Sequence, residues 1–119
     1  MTVKTKRIYD EVEERDGVRI LVDRLWPRGV SKEKAQLDYW LKNIAPSDDL
    51  RKEFHENKKN FNDFKKDYKK ELDSGDALES YNKLKDIISS NNKNVTLLYA
   101  AKDETHNNAH VLKEIVTKK

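Results

Sequence analysis

The chain has 119 residues, 39% of them charged and 35% hydrophobic, and its 25 basic and 22 acidic side chains leave a net charge of +3. This length supports one core and one domain over residues 1–119, the near-cancelling charges argue only weakly for nucleic acid, and the lack of cysteine excludes disulfides, thiolate catalysis and cysteine metal sites. No apolar run approaches the roughly 20 residues of a membrane span and residues 1–6 lack a secretory apolar segment, so a cytoplasmic protein with no membrane partner is expected.

Thr5 to Tyr9 mixes β-branched and aromatic residues and predicts a first strand. Asp10-Glu11-Val12-Glu13-Glu14-Arg15-Asp16-Gly17 reads as a solvated acidic connection ending in a turn. Val18 to Val22 predicts a second strand, and the consecutive Ile20, Leu21 and Val22 suggest burial on both faces. Trp26 before Pro27 disfavours helical geometry, Gly29 frees the turn, and Ser31 is placed to cap a helix from Lys32. Leu37, Trp40, Leu41 and Ile44, spaced i, i+3, i+4 and i+7, extend that helix until Ala45-Pro46 ends it.

Ser47 predicts a cap for a short helix with Leu50 and Phe54 inward, and Phe61, Phe64, Tyr68 and Leu72 share one face of the next. Ser74-Gly75 ends that helix, and Asp76 with Glu79 predicts a capping box for another with Leu78, Tyr81, Leu84 and Ile88 inward. Ser89 to Asn94 reads as a polar turn, Val95 to Ala101 as a third strand, and Ala109, Leu112, Ile115 and Val116 as a terminal helix. This order predicts an α/β fold: a small, mainly parallel sheet of about three strands flanked by about five helices. The short link between the first two strands leaves the direction of the first open.

If the second strand and the Val95 strand are parallel neighbours, their C-terminal ends bring together two polar loops, residues 23–32 and 102–110. Arg24, Arg28 and Lys32 offer positive charge and Ser31 a helix start, a combination suited to a phosphate or carboxylate. Asp23 would position an arginine, Lys102 and Asn107 would face the same ligand, and Trp26 and Tyr99 would wall the pocket. His106 with Asp103 is the candidate pair for proton transfer. His106 and His110 have a spacing that metals use, but two ligands do not make a site, and no metal or cofactor is assigned. The structural alternatives stay open: Asp23 tying the sheet edge together, Asp103 or Thr105 capping the last helix, and the tryptophans as core. A second class of function is a nucleic-acid or protein interaction module using the basic Lys58 to Lys70 face, and a third is a non-catalytic structural or regulatory domain.

The run Leu21-Val22-Asp23-Arg24-Leu25-Trp26-Pro27-Arg28-Gly29, with Trp40-Leu41, Ala45-Pro46, Leu97-Leu98-Tyr99-Ala100-Ala101-Lys102-Asp103 and His106-Asn107, closely resembles the YeaO-like proteins, a bacterial family within the superfamily of domain of unknown function 488. The resemblance covers nearly the whole chain, and Arg24, Arg28, Asp103, His106 and Asn107 match its pattern position by position. It implies a compact cytoplasmic α/β domain and assigns no activity. Any thiol mechanism elsewhere in the superfamily does not transfer to a chain without cysteine.

Overall fold

Two strands with opposite-facing apolar residues organise the molecule. The computed structural model describes residues 2–90 and 94–117. In it, β2 (Val18–Leu21) and β4 (Val95–Tyr99) pair in parallel, with Ile20 opposite Leu97 and Leu21 opposite Leu98. β1 (Val3–Arg7) lies parallel to β4 on its other side, and a two-residue edge strand, β3 (Tyr39–Trp40), lies parallel to β2. The sheet order is β1-β4-β2-β3, so the first strand, whose direction the sequence left open, runs with the others.

Because strand side chains alternate, each central strand feeds both faces. Val18, Ile20 and Val22 join Val95, Leu97 and Tyr99 in one apolar cluster. α2 (Asp48–His55), α3 (Phe61–Glu71), α4 (Gly75–Ser90) and α5 (Asn108–Thr117) all contribute to it, through Leu50, Phe64, Tyr68, Leu84, Ile87 and Leu112 among others. Leu21 and Leu98 point the other way, into a smaller cluster with Ile8 and Ala35 that Trp26, Val30 and Leu37 cover. The consecutive apolar residues of these strands therefore report burial on both faces, as expected of a parallel sheet.

The short link from β1 to β2 crosses β4 on the thinly covered face. In register, Lys4, Thr96 and Arg19 form one row across that face. Asp16, fully buried, fills the row: its carboxylate meets Lys4 at 3.3 Å, Lys6 at 3.2 Å and Arg19 at 2.5 Å, and its carbonyl accepts from the Thr96 hydroxyl at 2.8 Å. The acidic connection is thus partly an internal ionic lock rather than wholly a solvated loop.

Ser47 caps α2 as expected, accepting from the Leu50 amide, and Asn60 caps α3 in the same manner. The helix expected from Lys32 to Ile44 is corrected. α1 covers only Lys32–Ala35, because Gln36 takes a left-handed conformation at φ 46° and breaks the ladder. Asp38 then pairs with the edge of β2, its amide donating to the Arg19 carbonyl at 2.9 Å and its carboxylate accepting from the Arg19 amide at 2.8 Å. Sheet pairing overrides the helical spacing, and Ile44 falls instead in a short 3-10 turn at Lys42–Ile44. Asp76 lies inside the first turn of α4, not at its cap, and Ile87 rather than Ile88 is the more buried of that pair. Of the expected turn at residues 89–94, Ser89 and Ser90 still belong to α4, and residues 91–93 lie outside the described ones. Among the described residues, no helix is long and apolar enough to cross a membrane.

Candidate functional site

Parallel pairing of β2 with β4 places the segments that leave them side by side, where ligands gather in open α/β sheets. The two segments are stitched together by Asp23. Its carboxylate accepts from the Ala100 amide at 2.8 Å and from the Asn108 side-chain amide at 3.2 Å, and Asn108 also donates to the Val22 carbonyl at 2.9 Å. Burial pushes the Asp23 carboxyl above its ordinary value, against the opposing pull of those two donors and of Arg51.

The segment after β2 is held rigidly. Trp26 donates its indole N–H to the Val30 carbonyl at 2.6 Å across a turn in which Gly29 takes φ 80°. Trp40 donates to the Asp23 carbonyl at 2.8 Å, and the two indoles meet edge to face at 5.3 Å. Tyr9 donates its hydroxyl to the Arg28 carbonyl at 3.0 Å.

The segment after β4 is ordered by Asp103 and Asn107. The Asp103 carboxylate accepts from the His106 and Thr105 amides, both at 2.9 Å, and these bonds hold it well below the usual carboxylate range. Its other oxygen lies 3.2 Å from His106 Nδ1. The His106 ring packs against Phe61 at 4.7 Å. Asn107, not Asp103 or Thr105, caps α5, accepting from the His110 amide at 2.8 Å while donating to the Asp103 carbonyl at 2.8 Å.

Between these segments and the α2–α3 pair lies an open cleft of about 760 Å³. Of the residues singled out from sequence, Asp23, Arg24, Trp26, Arg28, Lys102, Asp103, His106 and Asn107 line it. Ser31, Lys32 and Tyr99 do not. Ser31 caps α1 through the Lys34 amide, Lys32 is exposed in that same short helix, and Tyr99 is buried in the helix-covered core, where burial raises its phenol. Sequence reasoning missed Arg51 and Phe54, whose i, i+3 spacing on α2 carries the signal, and Asn108, next to the chosen Asn107.

Arg24 is the unusual member. Its Nη2 donates to the Ala45 carbonyl at 3.2 Å, but its buried Nε has no acceptor. Among the described residues, neither Arg24, Arg28 nor Lys102 is ion-paired, whereas Arg51 stands 3.7 Å from Asp48. The lining therefore holds free positive charge over an apolar floor. Among the described residues, no group of three or more His, Asp or Glu side chains is gathered to hold a metal ion.

The family described as the inactive DUF488-N3 subclade matches residues 2–119. The chain belongs to this YeaO-like DUF488 family. Within it, the uncharacterized protein YeaO of Escherichia coli (strain K12) is 45% identical over 112 residues, 94% of each chain. The uncharacterized proteins Mb3100c of Mycobacterium bovis and Rv3073c of Mycobacterium tuberculosis are each 38% identical over 82 residues, 69% of this DUF488 chain and 70% of theirs. No solved structure matches.

Proposed function

We propose that the chain acts as a single cytoplasmic domain that binds a small phosphate- or carboxylate-bearing molecule in the cleft without turning it over. The observation that carries this reading is Arg24: a guanidinium with a buried, unsatisfied Nε and no carboxylate partner, at the wall of a cleft that also holds Arg28 and Lys102. A part-buried guanidinium without a carboxylate partner keeps charged donors free, and an oxyanion in the cleft accepts from its accessible N–H groups with charge-assisted bonds. Binding without turnover agrees with the description of the family as inactive.

The test is calorimetric titration with a panel of phosphate and carboxylate anions. At least one binds the native protein, and Arg24→Gln or Arg28→Ala weakens it by about tenfold or more, the loss of roughly one charge-assisted bond. Affinity unchanged in both variants, or no binding across the panel, overturns the reading.

Proton transfer by His106, oriented by Asp103, is a second reading favoured by the Nδ1 contact of 3.2 Å. It requires a turnover that disappears in His106→Ala. The basic face supports an interaction module less well, because Lys58, Lys59 and Lys65 are ion-paired to Glu56, to Glu53 and Asp67, and to Glu114. Salt-dependent nucleic-acid binding lost on charge reversal at Lys65, Lys66 and Lys69 is its signature.

A further inference from the structure

We infer that the anion taken by the cleft is carried on an aromatic ring, so that the ligand class is an aryl or heteroaryl phosphate or carboxylate. This rests on the anion-binding reading and narrows it.

Size is the first consideration. A volume of about 760 Å³ lies within the range of organic small-molecule pockets, and a bare oxyanion would leave most of it filled with water. The composition of the walls is the second. Beside its charged and polar side chains, which include the carboxylates of Asp23 and Asp103, the cleft is lined by Leu25, Trp26, Pro46, Phe54 and Phe64. Leu25 is 66% exposed, and Phe54 and Trp26 are only partly buried. A leucine left in water at the rim of a cleft gains by being covered, and only the organic part of a ligand covers it.

The shape of the apolar wall favours a flat body. Phe54, half-buried, stacks on the buried Phe64 at 4.6 Å and 24°, which holds its ring in place on the α2–α3 side. Trp26 is fixed by its bond to Val30 and its edge contact with Trp40. Rings held in this way favour an aromatic partner over a flexible aliphatic one, because the protein side loses little freedom on binding. The arrangement has an anionic end for Arg24, Arg28 and Lys102 and a planar end for the aromatic wall.

Titration with inorganic phosphate, methyl phosphate and phenyl phosphate tests this directly. Phenyl phosphate binds at least about tenfold tighter than methyl phosphate, and Phe54→Ala reduces that preference to about threefold or less. Phe54 also packs against the core, so Leu25→Ala, at an exposed position, is the parallel variant and lowers the phenyl preference in the same direction. Equal affinity for methyl and phenyl phosphate overturns the aromatic inference and leaves the anion reading standing. A phenyl preference untouched by both variants also overturns it. Failure of all three phosphates to bind removes the anion reading for phosphates and this inference with it.

Discussion

The carboxylate of Asp23 accepts a hydrogen bond from the backbone amide of Ala100, 77 residues away, at 2.8 Å. This contact, with the Asn108 side chain on the other oxygen, fixes the distance between the two segments that wall the cleft. Removing the carboxylate leaves the Ala100 amide and the Asn108 side chain without this acceptor in a part-buried position. Asp23→Ala should therefore cost about 2–3 kcal/mol in urea unfolding at neutral pH.

Asp23→Asn tests the charge separately from the shape. Burial raises the Asp23 carboxyl above 3.8, so the folded state holds its proton more tightly than the unfolded chain. This group's contribution is greatest below the unfolded value, falls as pH rises through the raised value, and is constant above it. Asparagine avoids the cost of ionisation and keeps one acceptor, so the variant should lie within about 1 kcal/mol of the native protein at pH 7. A loss as large as that of the alanine variant would show that both oxygens are required.

Asp16 has the opposite pH signature. Burial alone would raise its carboxyl, but the Glu13 amide and the Lys6 and Lys4 ammonium groups outweigh it and bring the value down to about 2. The stabilisation is full above 3.8 and is lost as pH falls from there toward about 2. Asp16→Asn should cost about 2 kcal/mol at pH 7, and its gap from the native protein should close on acidification through that window. Parallel stability curves with no convergence would remove the ionic lock as an acid-sensitive element.

The two strands that frame the cleft were legible because each carries a short consecutive apolar run, Ile20 to Val22 and Leu97 to Tyr99, next to turn or polar residues. The edge strand was not. Leu37, Trp40, Leu41 and Ile44 carry helical spacing, yet Trp40 is 38% exposed and gains its order from the Asp23 carbonyl, a contact made by tertiary placement. The site was half legible for the same reason. Charged residues following a strand can be read from the chain, whereas Arg51 and Phe54 enter the cleft only through the docking of α2 and α3.

Gln36 is the residue that ends α1 short of the helical spacing. A non-glycine residue at φ 46° is strained by its Cβ, and here it closes a helix of four residues. Gln36→Gly should raise stability by about 0.5 kcal/mol, the relief of strain exceeding the added freedom of the unfolded chain. A lower midpoint in thermal or urea unfolding would instead assign the Gln36 side chain a stabilising role that outweighs its strain.

Arg24 separates binding from folding. Among the described residues it donates to the Ala45 carbonyl at 3.2 Å, and its buried Nε is an uncompensated donor. Methionine keeps much of the apolar stem and removes the orphaned polar atom, at the expense of leaving Ala45 without that donor. These effects nearly cancel, so Arg24→Met should change stability by no more than about 1 kcal/mol while weakening oxyanion binding by about tenfold or more. Urea unfolding and titration on the same variant give both numbers. A stability loss of about 2 kcal/mol or more would make Arg24 a structural tie, since a residue retained for a ligand is one whose removal the fold tolerates and the binding does not.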